Sequence, residues 1–495
     1  MNLIPRFLHR LPARADASPS PRTRGAGLAL LLAAGALGAG CSAIPPAGSP
    51  SLPARLEASA ASAWHAQQPH EGSLEALAGW WSRLDDPLLP TLVDAAQQAS
   101  PGVAQAAARI AQAREQFARA GAASLPILDA AAARLRGPVS FGGAPFLRTQ
   151  DTLLAQAAWE LDLFGALDAG RRAELARMQA RAAGWHEARV SVAAEVGARY
   201  AALRHCEAQL ALDHAGSRSR QRSLELALAS ARAGFLAPAQ AEMLRAQVAE
   251  QVAREQARAA ECELGIKALV SLTALEEPAL RAQLASARGR LPSPARFAID
   301  RIPARALAQR PDLAAAEREL LAALADVDAA AANRMPRLLI SGSVGPLRFD
   351  GAGVRLDTTT WSLGPTLSVP LFDAGVRAAA LEGARARLQA AESQWRARVR
   401  EAAREVEEAL VRLSAAAGQT EQTDVAVAAY RRSLGAVQTR REAGLAGDLE
   451  IEEARRIALA AEAALVALAH EKVQAWIALY RAAGGGWTPE TRNPS

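Results

Sequence analysis

The sequence predicts a mainly α-helical protein that also carries β-strands of membrane length, organised as an internal two-fold repeat. Three observations support that fold class. First, Trp361 to Leu371 alternates with period two, with Trp361, Leu363, Pro365, Leu367, Val369 and Leu371 on one face and Ser362, Gly364, Thr366 and Ser368 on the other. Eleven such residues at about 3.3 Å each, tilted, cross a hydrocarbon layer of roughly 25–30 Å. Second, Phe372-Asp373-Ala374-Gly375 ends the alternation, and a long unbroken helix pattern follows. Third, the same pairing occurs about 208 residues upstream, where Leu153, Ala155, Ala157, Trp159, Leu161 and Leu163 oppose Thr152, Gln156, Glu160 and Asp162. Pro101 and Pro311, Pro126 and Pro336, Ala233-Gly234 and Ala443-Gly444 recur near that offset, as does Gly-Pro-x-x-Phe-x-Gly at Gly137 and Gly345. Coincident landmarks at one offset mark a tandem duplication.

In chain order, residues 1–40 form an export signal. Arg6, Arg10, Arg14, Arg22 and Arg24 precede an apolar run from Ala26 to Ala39, which is too short to span a bilayer as a helix. Residues 41–79 are rich in Pro, Ser, Ala and Gly and read as a tether. Order begins at Trp80-Trp81 and Asp86-Pro87, followed by a helix from Leu88 to about Ala99. A second helix starts at Pro101, a residue favoured in the first turn. A first strand is expected over Pro126–Arg136, a Gly/Pro-rich loop over Gly137–Gln150, and a strand over Thr152–Phe164. The helix from Ala166 to Ala233, about 68 residues, would be roughly 100 Å long. Gly234 to Pro238 turns the chain, and a second helix returns to about Leu275.

Glu276–Pro303 reads as a linker, which puts the first repeat at residues 80–290 and the second at 291–487, with a tail at 488–495. The second repeat has helices from Ala304 to Ala332 broken at Arg310-Pro311, then strands over Pro336–Val344 and Trp361–Leu371 separated by a Gly-rich loop. Its long helix carries Val399, Ala403, Val406, Leu410 and Leu413 in 4-3 spacing and turns at Gly444–Gly447. The returning helix continues the spacing with Leu459, Ala463, Val466, His470, Val473, Ile477 and Tyr480. Such stripes predict helix-on-helix packing.

Composition narrows the function. The net charge of +6 includes +4 from residues 1–40, so the remainder is near +2, with Arg and Glu interspersed. That is no nucleic-acid surface. No run of 18 apolar residues follows the signal, which excludes helical membrane spans. Ser-His-Asp contexts, phosphate loops and paired-Cys metal sites are missing, so neither enzyme chemistry nor a cofactor is expected.

The motifs resemble those of the bacterial outer-membrane efflux factors, the TolC-like family, and specifically its lipoprotein branch. The matching pieces are Trp80-Trp81 with Asp86-Pro87, Trp159 to Gly165, Gln309-Arg310-Pro311-Asp312, Trp361 to Pro365, Pro370 to Gly375, and Leu479-Tyr480 with Gly484-Gly485-Gly486-Trp487. The resemblance implies a homotrimer in which four strands per chain make a single β-barrel continued by an α-helical periplasmic tunnel. It implies a passive exit duct in the outer membrane, served by a periplasmic adaptor and an inner-membrane efflux pump and surrounded by outer-membrane lipid. It also implies that Cys41, after Gly-Ala-Gly, is the lipidated first residue, although Leu37 stands one place further upstream than usual.

Site residues follow from the same resemblance. Related channels hold their periplasmic end closed through polar contacts at the second hairpin tip. Glu450 and Glu453 occupy the family's acidic positions, with Asp448 beside them. Three copies would make a negative ring favouring cations; the alternative is a solvated acidic first turn favoured by the helix dipole. The adaptor-contact tips would be Gly234, Phe235 and Leu236 with Gly444, Leu445 and Ala446. The first tip has Gln240 and Met243 in place of the acids.

Cys206 and Cys262 average to position 234, the hairpin turn, so antiparallel helices would bring them level. A disulfide is one outcome, two small buried residues the other. His205 and His214 lie on different faces and have no ligand cluster, so a surface or interface role is expected rather than metal; His470, in an apolar stripe, is expected to contact another helix. Two other functions compete with the channel. A periplasmic adaptor or structural coiled-coil lipoprotein would share the signal and the helices but would not need the alternating strands. A cell-wall hydrolase would need catalytic acids in a cleft.

Overall fold

A computed structural model describes residues 55, 64, 80–81, 84–140, 144–293 and 303–487. The export signal, Cys41, most of the tether and the tail at 488–495 lie outside the described residues. The elements run α1 (Leu88–Ala99), α2 (Pro101–Ala122), β1 (Ile127–Val139), β2 (Phe146–Leu161), α3 (Ala166–Arg232), α4 (Pro238–Thr273), α5 (Glu277–Ala285). They continue as α6 (Pro303–Leu307), α7 (Pro311–Ala332), β3 (Arg337–Gly351), β4 (Val354–Ser368), α8 (Val376–Glu442) and α9 (Asp448–Ala482). The two long helices, α3 and α8, have 67 residues each, about 100 Å at 1.5 Å per residue. Among the described residues no helix is long and apolar enough to cross a membrane.

The same device turns strand into helix in both repeats. Gly165 and Gly375 precede the long helices with φ of 77° and 86°, a conformation that costs other residues a Cβ clash. The Asp162 carboxylate accepts from the backbone N–H of Leu167 (3.2 Å) and Asp168 (2.8 Å). Asp373 accepts from Gly375 (3.0 Å) and Arg377 (3.2 Å) in the same way. Orphan donors of each first turn are thereby satisfied.

The four strands form one antiparallel sheet in the order β1-β2-β3-β4. Its register decides which side chains share a face. Ala155 stands opposite Val344, which stands opposite Trp361; Ala157, Gly342 and Leu363 make the next row, followed by Trp159, Ile340 and Pro365 and by Leu161, Leu338 and Leu367. The apolar stripes of both repeats therefore fall on one face. The opposite face carries Gln156, Ser343 and Ser362, with the two serine Oγ atoms 2.9 Å apart.

The strands are longer than expected. Most of Gly137–Gln150 is strand rather than loop, and β3 runs on to Gly351, so that only Ala352 and Gly353, both at positive φ, close the second hairpin. The apolar alternation inverts midway along the strands: Arg134, Asp151, Arg348 and Asp357 continue the apolar face, while Leu135, Phe349 and Leu356 continue the polar one. A one-faced period-two reading stops at that inversion. At the other end β4 finishes at Ser368, two residues short of Pro370, which has no N–H to donate, so Val369 and Leu371 lie beyond the strand. The β2–β3 ladder is interrupted opposite Pro346 for the same reason; Gly345 there approaches so closely that a Cβ would lie 1.8 Å from the Leu153 carbonyl oxygen. The linker is likewise not bare coil. It contains α5, where Pro278 starts a helix and Leu280 and Leu284, one turn apart, are buried.

Helices pack side by side. Near the sheet the neighbours are α2, α3, α7 and α8; toward the hairpin turns they are α4, α3, α9 and α8. The long helix α3 is thus a spine against which α2, α4, α7 and α9 pack, while α8 runs along α7 and α9. Val399, Val406, Leu410 and Leu413 of the α8 stripe, and Val473, Ile477 and Tyr480 of α9, are buried.

The shared apolar face makes a direct prediction. Leu363→Arg should cost about 2–4 kcal/mol at the middle of a lipid-facing band and lower the amount assembled in the outer membrane severalfold, whereas Ser362→Thr should leave it unchanged. Equal assembly, read by quantitative blotting of isolated membranes, would reverse the assignment of faces.

Candidate functional site

Two regions hold the residues that the motifs single out: a buried belt around the middle of the long helices, and the two helical hairpin tips. In the belt, the Trp80 ring lies between Trp476 (5.6 Å) and a stacked Tyr480 (5.7 Å), and Trp81 meets Tyr480 edge-on at 4.9 Å. Gly197 is what lets Trp81 in, since a Cβ there would come within 2.6 Å of its ring. Below the rings, Tyr200 donates to Asp86 and accepts from Arg204 (3.0 Å). The fully buried Arg204 also reaches Glu207 and the Leu284 carbonyl, both at 2.9 Å. Burial together with the hydrogen bond to Asp86 pushes the Tyr200 hydroxyl far above its usual range, so it remains a neutral donor.

Arg310 is the second buried cation. It bonds Asp312 at 2.8 and 3.0 Å, Glu405 at 2.7 Å and the Ala482 carbonyl at 2.9 Å, tying the start of α7 to α8 and to the end of α9. Gly484, at φ 85°, passes so close that a Cβ would sit 2.0 Å from the Gln309 carbonyl oxygen. Cys206 of α3 and Cys262 of α4 are joined by a disulfide with Cα atoms 5.5 Å apart, next to the same cluster of buried side chains.

The histidines separate. His214 pairs with Glu255 across α3 and α4 at 2.7 Å and is half-exposed. His205 stacks on His470 of α9, with ring centroids 4.5 Å apart. The Gln474 amide nitrogen donates to the Ala198 carbonyl (3.1 Å) and lies 3.0 Å from His470 Nε2, which must accept. Burial, then the neighbouring His205, lowers the His470 pKa to about 4; burial and Arg258 lower that of His205 as well. Among the described residues no group of three or more His, Cys, Asp or Glu could hold a metal ion.

At the tips, the long helices end in matching turns. Gly234 and Gly444 have φ of 81° and 73°, and the amides of Phe235 and Leu445 return to the carbonyls of Ser230 (2.9 Å) and Arg440 (2.7 Å). Phe235 is 88% exposed and Leu445 70%, while Leu236 and Ala446 are half-buried. The acidic residues are not equivalent. Arg440 bonds Glu450 at 2.9 Å, and Arg441 bonds Asp448 at 2.5 Å, holding the Asp448 carboxyl below its usual range. Glu453 is exposed and has no ion pair among the described residues. Glu452, between them, is buried and paired with Arg455 at 3.2 Å. Sequence reasoning weighed the acids alone. The further signal is Arg440-Arg441 in the last turn of α8, within reach of the acids across the turn 443–447.

The sequence pattern of the outer membrane efflux protein family matches residues 92–275 and again 302–485. The chain belongs to the outer membrane efflux protein family. It is similar to the solvent efflux pump outer membrane protein SrpC of Pseudomonas putida, 27% identical over 91% of this chain and 96% of that one. Similarity to the outer membrane protein OprJ of Pseudomonas aeruginosa is 29%, over 93% and 96% of the two chains. Among solved structures, the outer-membrane channel OprN superposes with a TM-score of 0.77 at 26% identity, covering 87% of this chain and 98% of that one. VceC of Vibrio cholerae gives 0.73 at 25%, covering 82% and 98%. The chain is therefore an efflux component of the outer membrane, with helices extending into the periplasm.

The stacked histidines predict a pH response. An unfolded histidine titrates near 6.5 and folded His470 near 4, so between those values the unfolded chain binds a proton that the folded chain refuses. Stability should be complete above about pH 6.5 and fall progressively as the pH drops toward 4. Thermal midpoints measured at pH 7.5 and 5 should differ, and the difference should shrink in the His205→Gln/His470→Gln double variant.

Proposed function

We propose that three copies of this chain close one barrel of twelve strands above one helical tunnel, forming the passive exit duct of a tripartite efflux system. The observation that supports this reading is the register, which sets the apolar stripes of both repeats on one face of a sheet with two open edges. Four strands cannot close on themselves, and hydrocarbon offers no water to satisfy the unpaired backbone of β1 and β4. Pairing β4 of one copy with β1 of the next removes every edge. No step in this reading requires an enzymatic residue or a cofactor. Small molecules pass down a gradient that an inner-membrane pump maintains, and a periplasmic adaptor joins the two. The exposed Phe235 and Leu445 suit the tips Gly234–Leu236 and Gly444–Ala446 to adaptor contact. Cys41 is the proposed lipid attachment point.

At the second tip, Asp448, Glu450 and Glu453 would form the gate and selectivity ring. Because Arg441 and Arg440 offset the first two, Glu453 supplies most of the uncompensated charge in this proposal.

Native mass of the full-length protein extracted in mild detergent tests the assembly. A trimer is expected; a water-soluble monomer, or a hexamer released without detergent, would overturn the duct reading. In planar bilayers, Glu453→Gln should lower the cation-to-anion permeability ratio severalfold, and Arg440→Gln should raise it by freeing Glu450. Ratios unchanged in both variants would remove these carboxylates from the conduction path.

A further inference from the structure

Between the buried belt and the sheet, α2, α3, α7 and α8 lie side by side in that order. A cavity of about 420 Å³ is lined by side chains from all four, Arg109 of α2 and Arg398 of α8 included. The two end helices of a row share a cavity only on its concave side. A second cavity, of about 440 Å³, lies nearer the sheet on the same helix faces. On α7 the lining of the two runs Glu319, Asp326, Ala330 and Asn333, and on α8 Arg387, Gln394 and Arg398, successive members three, four or seven residues apart. Arg55, on the segment that leads back to the proposed lipid attachment point, meets Glu317 of α7 at 3.8 Å. Two residues along a helix stand about 200° apart round its axis, so Glu317 is on the side of α7 away from Glu319. A chain running to a lipid anchor stays outside the tunnel, which again puts Glu319 and both cavities inside.

Charge on this inner surface is not balanced. Arg181 pairs with Glu319 at 3.2 Å, Arg177 with Asp326, and Arg377 with Asp373 at 3.1 Å. Arg109, Arg387 and Arg398 are exposed and have no ion pair among the described residues. Glu187, the remaining acid of the lining, has none either, and Arg398 attracts it from beyond bonding distance. Three unpaired arginines against one unpaired glutamate leave an excess of two positive charges per chain. Between them the floor is Ala180, Gly184, Ala315 and Ala316, with no side-chain donor or acceptor. A cleft of one sign walled by protein concentrates solutes of the other sign, and guanidinium groups bind carboxylates through paired N–H donors. Cavities of roughly 300 Å³ and more are the size that holds a small organic molecule.

We infer that the tunnel section between the belt and the sheet is a binding site for organic carboxylates, whose charge is held by Arg109, Arg387 and Arg398 and whose apolar part lies on the alanine floor. The inference rests on the duct reading, which makes the concave side the lumen, but every contact it uses lies within one chain. It gives the duct a favoured solute class, set by this chain's own lining. The sign is opposite to that of the proposed ring at the tips, so a permeability ratio set at the tips does not report on this section, whereas block of the current by a bound solute does.

The test uses the full-length protein in planar bilayers, its potassium conductance recorded first. Naphthalene-2-carboxylate should interrupt the current, and its half-blocking concentration should rise severalfold in Arg109→Gln/Arg387→Gln/Arg398→Gln. The triple variant with lysine at the same positions should stay close to wild type. Naphthalen-2-ylmethylammonium, of similar shape and opposite charge, should block the glutamine variant no less than the wild type. Carboxylate block unchanged in the glutamine variant, or both probes weakened alike, overturns the site. Sulfate blocking as strongly as the naphthyl carboxylate overturns the organic class. Should the triple glutamine variant not assemble, the three single variants take its place, and an unchanged half-blocking concentration in all of them overturns the inference. A protein that forms no conducting pore removes the duct reading and this inference together, whereas a pore indifferent to the carboxylate removes this inference alone.

Discussion

Unpaired backbone in hydrocarbon is the constraint on which everything else in this structure depends. A sheet of four strands ends at β1 and β4, and each edge is a row of N–H and C=O groups that only another strand can satisfy inside a bilayer. The chain therefore has to carry its strands in a form that repeats around an axis. The duplication supplies two hairpins of similar length, and the register keeps their apolar stripes on one side. A shift of one residue between β2 and β3 would send one stripe to the lumen.

The second demand is mechanical. Each hairpin has to pass directly into a helix of 67 residues without a flexible joint. Asp162 with Gly165, and Asp373 with Gly375, solve this with the same two residue types: the glycine supplies the positive φ of the corner and the carboxylate caps nearby amides, Leu167 and Asp168 in one corner, Gly375 and Arg377 in the other. Chain direction is thus set by local contacts, between residues no more than six apart. Farther along, the helices are rich in alanine and arginine and present narrow apolar seams. Such rods hold position only if something locks them in the middle.

The buried belt is that lock. Its aromatic rings fill the space between α1, α3 and α9, and its two buried arginines each serve several acceptors at once. Isolated buried charges would cost several kcal/mol each, which the carboxylate, hydroxyl and carbonyl partners of these arginines offset, although Arg204 Nε has none. Most residues that carry the family resemblance outside the strands belong here, not to the tips. They report how the long helices are held together.

Helix lengths, the duplication, the apolar stripes and the corner motifs were legible in the sequence, because each depends on period or on residues a few positions apart. Strand length was underestimated, since the polar and apolar faces exchange partway along and a one-faced pattern ends there. Helix α5 was hidden in a linker because only two leucines, Leu280 and Leu284, carry its apolar face. The pairing of Arg440 and Arg441 with the tip carboxylates, the stacking of His205 on His470 265 residues away, and the choice of a disulfide over two buried thiols were decided by tertiary structure alone. Each of these depends on how one helix is rotated against another, and rotation is set by the whole packed seam rather than by any local run of residues.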